Sequence, residues 1–351
     1  MKKSSKPLFI FELANNHNGK LERGIRIISE IKKQTELYKN DFDFAFKLQY
    51  RNLETFIHPD YKKPGEIKCI NRLIENKLSN DYLLTLKNEI TKQGFTAICT
   101  AFDEDSVDLI LEHGFEIIKI ASCSFCDSKL MEKIFKTNLP VIASTAGVKL
   151  EEIDKAVEFF LHNGKSLSLM HCIAQYPTQR ENLQLNQIDL LKFRYPQVKI
   201  GYSTHEYFDM DTIKIAIAKG AVIFEKHVGL NDYPGSINNY SATPEQIGQW
   251  LKSAKEAFDA CGITGERYKP TQSELGFLQN LSRGIFASKN INKGEKINSS
   301  NTFLAVPSLK NQILPANISE NKEFKAKNDI KSDSPILFSD VEVLEKIKSL
   351  I

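Results

Sequence analysis

The chain has 351 residues, 41% hydrophobic and 26% charged, and its 47 Lys and Arg against 44 Asp and Glu leave a formal net charge of +3. Such a composition builds one large core with room for a second domain. It also argues against nucleic-acid binding, because no basic stripe with interleaved aromatics occurs and Lys32-Lys33 and Lys62-Lys63 fall where solvated charge is the ordinary reading. No run approaches the roughly 20 apolar residues of a membrane span, and Glu12 breaks the apolar run after the basic start too early for an export signal, so a cytoplasmic protein with no membrane partner is expected.

In chain order, β-rich apolar runs occupy residues 7–13, 42–49, 94–102, 116–122, 140–146, 166–172, 198–205 and 221–228. Stretches of helical spacing separate them, as at 21–37 and 151–160, and a helix over 244–260 follows the last run. Eight alternations of strand and helix predict an α/β fold, a (β/α)8 TIM barrel over residues 1–262, with its active site at the carboxyl ends of the strands. Residues 263–280 are polar, contain Gly265 and Pro270, show no clean period and read as a linker. Over 281–351, short β-rich pieces at 283–287, 291–297, 303–306 and 336–338 predict a small second domain. Within it, residues 290–297 and 328–336 echo each other, which points to a structural pairing.

Six cysteines are scattered through predicted strands and helices, so no disulfide framework is expected. Cys123 and Cys126 form a Cys-x-x-Cys pair, which alone is a weak redox or metal signal against the simpler reading of buried or rim thiols. Trp250 is expected in helix packing.

The strand ends carry the chemistry. They read Glu12, Lys47 with Gln49, Thr100, Lys119 with Ser122, Ser144, His171, Ser203 with His205, and Glu225 with His227. Alternation places Ser203 and His205 on one face of the seventh strand, and Glu225 and His227 on one face of the eighth. Adjacent strands lie about 4.8 Å apart, so both imidazoles can reach one divalent ion, with oxygen ligands suiting Mn²⁺, Zn²⁺ or Fe²⁺; strand-end caps are the structural alternative. Lys47 and Lys119 interrupt apolar strands. A buried ammonium needs a partner, either an anionic ligand such as a phosphate or carboxylate, or a protein carboxylate such as Glu12 or Glu225. The loop Asn15-Asn16-His17-Asn18-Gly19 suits a tight turn that admits positive φ.

Taken together, Glu12-Leu13-Ala14-Asn15-Asn16-His17-Asn18-Gly19, Lys47-Leu48-Gln49, Lys119-Ile120-Ala121-Ser122, His171-Cys172 with Tyr176-Pro177-Thr178, Ile200-Gly201-Tyr202-Ser203-Thr204-His205 and Glu225-Lys226-His227 resemble the sialic acid synthase family. The resemblance extends over nearly the whole chain, and Ile291-Asn292-Lys293-Gly294-Glu295 is similar to that family's antifreeze-like, or SAF, domain. It implies condensation of phosphoenolpyruvate with an open-chain amino sugar, commonly N-acetylmannosamine, to a nine-carbon 2-keto acid and phosphate, in a domain-swapped homodimer.

By the same resemblance His205 and His227 hold a divalent metal, usually Mn²⁺. Glu12, Lys47, Lys119 and His205 are the expected catalytic residues. Lys47, Lys119, Thr100, Ser122 and Ser203 are expected on phosphoenolpyruvate, and Asn16, His17, Gln49, Ser124, Tyr176 and Glu225 complete the substrate-binding set. The departures lie on the acceptor side: Ser124 replaces a usual Glu, Ala174 an Asn, Ile237 (aligned through Pro234-Gly235) an Asp, and Val306-Pro307 an Arg-Pro pair. They imply a changed acceptor, as in a pseudaminic or legionaminic acid type of synthase. Two other classes stay open, a Schiff-base barrel aldolase and a non-catalytic sugar-binding homologue.

Overall fold

A computed structural model describes residues 6–63, 65–233, 235–318 and 322–345. Most of the basic start, residues 1–5, and Pro234, through which Ile237 is aligned, lie outside the described residues. The chain divides into two compact units, Met1–Gly262 and Ile263–Ile351.

In the first unit eight strands close a barrel in sequential order: β1 Leu8–Glu12, β2 Asp43–Tyr50, β3 Thr96–Ala101, β4 Ile117–Ile120, β5 Val141–Ser144, β6 Leu167–His171, β7 Lys199–Thr204 and β8 Ile223–His227. Every pairing is parallel, and closure sets Glu12 of β1 beside Lys47 on one side and His227 on the other. This is the (β/α)8 architecture expected from the alternation.

Two apolar layers follow from the period of two along each strand. Outward residues such as Phe9, Phe11, Phe46, Leu48, Ile118 and Phe224 are buried beneath the helices, each contributing about 1.5–3 kcal/mol. Trp250 lies edge-on to Phe9 at 5.2 Å, in helix packing as expected. Its helix, Pro244–Cys261, starts with Pro244 at the first position and a Thr243–Gln246 capping box, and ends at Gly262 with φ 67°. Leu21–Thr35 buries Ile27, Ile28 and Ile31 and runs on into a 3-10 turn, Glu36–Tyr38, where Leu37 is 85% exposed. Between β2 and β3 the chain adds the helices Leu53–Phe56 and Lys68–Glu75 before the covering helix Asn80–Lys92, an excursion the strand and helix count does not announce.

In the second unit the segment read as a linker contains a helix, Gln272–Leu281, capped by the Thr271 side chain. Leu275, Leu278 and Leu281 recur every three residues, a cue that Gly276 obscures. Strands Gly284–Ala287 and Thr302–Ala305 pair antiparallel, while Lys296–Ile297, Lys322–Ala326 and Val341–Glu345 form a three-stranded sheet. Residues 336–338 are not a strand, since Leu337 makes only an isolated bridge to Gln312. The strands at 322–326 and 341–345 escape a reading built on apolar runs because Lys322, Glu323 and Lys325 in the first and Glu342 and Glu345 in the second leave no continuous apolar run. The two echoing segments bond to each other, Ile291 and Ile330 exchanging N–H to O=C bonds of 2.8 Å each way.

Candidate active site

Alternation stacks the barrel interior in levels. Ile10, Ala45, Ile98, Ile142, Met170 and Ile223 form a buried apolar plug. Two residues further along the same strands stand Glu12, Lys47, Thr100, Ser144, Cys172 and Glu225, and above these Gln49 and His227. All eight line one cavity of about 320 Å³, together with Lys119, Ser122, Ser203, His205, Tyr176, Phe102, Cys123 and Ala174. The apolar plug dehydrates the cavity floor, which strengthens every charge interaction above it. A larger cavity, about 520 Å³, is lined by Lys77, Asp105, Asp108 and Glu112 among others and brings together none of the predicted site residues.

The lysines are not left to await a ligand. Lys47 Nζ lies 2.6 Å from Glu12 Oε2 and 3.0 Å from Glu225 Oε2, and Lys119 Nζ lies 3.2 Å from Glu225 Oε2. Ser203 donates to Glu225 Oε1 at 3.0 Å and the Ala14 N–H donates to Glu12 Oε1 at 2.7 Å. Of the two partners the sequence leaves open for these ammonium groups, the protein carboxylates Glu12 and Glu225 are in place. Burial opposes the Glu225 charge, but Lys119 and Lys47 outweigh it and hold the carboxyl well below its usual range. Burial likewise opposes the Lys47 charge, and Glu12 and Glu225 overcome it, so its pKa rises. For Lys119 burial prevails over Glu225 and the pKa falls. Ala14, two residues after Glu12, holds φ 44°, a left-handed backbone uncommon for Ala and typical of a site that stores strain.

His205 and His227 meet with ring centroids 5.5 Å apart. Burial, then His227, lowers His205 to about 3; burial, then Lys47, lowers His227 to about 3. Both rings are consequently neutral near pH 7, the form that ligates metals. His205 Nδ1 is tied to the Ile173 carbonyl at 2.9 Å, whereas the buried His227 Nδ1 has no hydrogen-bond partner. A neutral imidazole pair with one orphaned ring nitrogen fits a cation. Among the described residues no cluster of three or more His, Cys, Asp or Glu forms a complete protein cage.

Three predicted substrate residues stand apart from the cavity lining. The Asn16 amide donates to Val228 O at 2.8 Å and Ser241 Oγ at 3.0 Å and accepts from Asn238 at 3.2 Å, so it is committed to the loop after β8. His17 lines a small neighbouring cavity with Gln49 and Arg51, and its Nδ1 accepts from Gly19 N at 3.0 Å. Ser124 is buried in the turn Ser122–Ser124. Asn18 and Gly19, at φ 50° and 70°, make the left-handed turn that the Asn and Gly composition suggests.

His171 faces outward, its Nε2 bonded to the Leu183 carbonyl at 2.8 Å, and parity gives the cavity position to Cys172. Parity along the sixth strand was the signal available for Cys172. Phe102, one residue past β3, also lines the cavity. Arg51 donates to Gln49 Oε1 at 2.6 Å and lies 4.1 Å from the Phe102 ring centroid, although an isolated Arg after Gln49-Tyr50 carries no motif.

A profile of the NeuB family matches residues 41–266. An uncharacterized protein of Methanocaldococcus jannaschii is 31% identical over 338 residues, covering 95% of each chain. The N,N'-diacetyllegionaminic acid synthase of Legionella pneumophila is 25% identical over 347 residues, 97% of this chain and 96% of that one. The crystal structure of a Chromobacterium violaceum protein, assigned by its name to spore coat polysaccharide biosynthesis, is 46% identical with a TM-score of 0.92, over 96% of this chain and 100% of that one.

Proposed function

The chain belongs to the NeuB family, and on that premise we propose that it is a transferase condensing phosphoenolpyruvate with an open-chain amino sugar to give a nine-carbon 2-keto acid and phosphate. What carries the reading is the convergence of Lys47, Lys119, Glu12 and Glu225 with His205 and His227 on one cavity.

Carbon 3 of phosphoenolpyruvate attacks the sugar aldehyde, forming the new C–C bond. Water captures the positive charge that develops at carbon 2, and phosphate leaves with C–O cleavage. Lys47 and Lys119 face the carboxylate and phosphate and balance their charge. Thr100, whose buried hydroxyl oxygen has no partner, joins Ser122 and Ser203 in orienting the anion. Glu12 is the carboxylate for proton transfer or for holding the sugar, fixed by the Ala14 N–H on its other oxygen.

The two ammonium groups and two carboxylates cancel formally, so a multiply charged anion needs further positive charge. A divalent ion, with Mn²⁺ the expected one, would be held by His205 and His227 and would supply that charge and Lewis-acid polarisation of the aldehyde. The acceptor is a hexosamine other than the commonest one, in keeping with Ser124, Ala174 and Ile237, and the product name of the Legionella relative makes 6-deoxy diamino sugars the first to test. The chain works as a homodimer, checked by light scattering, where the mass of a single chain would count against it.

The test is phosphate release from phosphoenolpyruvate across N-acetylmannosamine, its 6-deoxy diamino relatives and simple aldoses. Release with one hexosamine-like aldehyde is expected, and none across the panel overturns the proposal. A Schiff-base lyase draws on the lowered pKa of Lys119, and borohydride trapping of a substrate adduct on that lysine would establish it instead.

A further inference from the structure

The loop between β8 and the helix Pro244–Cys261 is fastened in a way that no substrate-binding role for the Asn16 motif explains. Its two ends close on each other beneath His227: Ala242 N donates to His227 O at 2.8 Å and Gly229 N to Ala242 O at 3.0 Å. Asn16, 1% exposed, then bonds the loop at Val228, Asn238 and Ser241. Arg23 extends the fastening, with Nε donating to Asn16 O at 2.8 Å and Nη2 to Leu230 O at 2.7 Å and Ser236 O at 3.1 Å, while its other guanidinium nitrogen pairs with Asp232.

Tyr240 is the side chain this scaffold presents. The two residues that hold it, Asn238 and Ser241, are bonded to each other at 2.8 Å as well as to Asn16. Its ring meets His227 edge-on at 5.3 Å and Tyr176 at 5.2 Å. Tyr176 in turn lies 4.4 Å from His205, and the imidazoles touch each other, so four rings close a circuit. His227 has no hydrogen bond at its buried Nδ1 to help fix its rotation, which leaves more of that task to its ring contacts. Edge-to-face contacts of this kind have an orientation preference beyond the apolar area they bury.

We propose that Tyr240 is a positioning residue that fixes and covers the His227 ring, and that Asn16 acts on the same ring at one remove by holding the loop that carries Tyr240. The inference deepens the proposed function by naming what orients its metal-binding pair. It stands on contacts within this chain alone.

The experiment measures diethylpyrocarbonate modification of individual histidines in the metal-free protein, read by peptide mass spectrometry. Tyr240→Ala should speed modification of His227 roughly 2- to 10-fold, the range expected for loss of such ring contacts, and Asn16→Ala should speed it in the same direction. Tyr240→Phe keeps the ring and should leave the rate at the wild-type value. His17 and the exposed His58 serve as internal controls, since a general loosening would speed His17 as well. An unchanged His227 rate in Tyr240→Ala, equal acceleration of His17, or failure of Tyr240→Phe to restore the slow rate overturns the proposal. A parallel Mn²⁺ titration by calorimetry should show weaker binding in Tyr240→Ala than in Tyr240→Phe. The modification comparison needs no metal, so a wild-type protein that binds no Mn²⁺ speaks only against the proposed function.

Discussion

Replacing Lys47 with Met removes the ammonium that lies 2.6 Å from Glu12 and 3.0 Å from Glu225. All three side chains are buried, so water cannot take over the lost solvation. Breaking such a pair costs about 3–5 kcal/mol, because an uncompensated charge stays in a poorly polarisable interior. The loss is not shared equally, since Glu225 keeps Lys119 at 3.2 Å and Ser203 at 3.0 Å while Glu12 is left with the Ala14 N–H on its other oxygen. Adding Glu12→Gln to Lys47→Met should therefore recover on the order of 2 kcal/mol, most of the penalty of one stranded carboxylate. Trp250, the one tryptophan of the chain, is buried in the barrel unit, so its fluorescence during urea unfolding at pH 7 follows this unit separately. The midpoint shift at constant slope gives the energies. A cost below about 1 kcal/mol, the value of an exposed pair, or a double variant no more stable than Lys47→Met, would refute the account of a closed charge network.

Burial, then Arg51 and Arg72, lowers His17 from 6.5 to about 4. The unfolded chain takes up this proton as pH falls below 6.5 and the folded chain only near 4, so the stability it contributes is complete above pH 6.5 and is lost as pH falls through that window, about 3 kcal/mol at most. His17→Asn should flatten that part of the melting temperature against pH, and an unaltered profile would show that His17 titrates freely. Chelation should abolish phosphate release and Mn²⁺ should restore it; His205→Ala and His227→Ala should each weaken Mn²⁺ at least about 100-fold by calorimetry, beyond what losing an outer-shell partner does, and wild-type affinity in both would place the ion elsewhere. Ile10→Ala opens the buried floor of the barrel and should cost about 2–5 kcal/mol in urea unfolding. A loss under about 1 kcal/mol would mean that the plug is not close-packed.

Much of the site was legible because a strand repeats every two residues. That parity alone carries Ile10 to Glu12, Ala45 to Lys47 to Gln49, and Ile223 to Glu225 to His227, from apolar floor to chemical rim. It also separates His171 from Cys172, a distinction that the family motif, which contains both, conceals. Asn16 shows the opposite limit: it lies in the loop after the first strand, where the family resemblance alone suggests a substrate role, and the bonds its amide makes come from Val228, Asn238 and Ser241, more than two hundred residues away.

The succession of strands and the inward set of residues were thus determined by local sequence, since each depends on spacing within a single element. The tertiary structure decided who partners whom. Lys119 meets Glu225 across 106 positions of chain, and Tyr240 meets His227 only after its loop is fastened to the first strand's turn. Such contacts depend on ring closure of β8 against β1 and on distances across the barrel, quantities that no periodicity along one strand encodes.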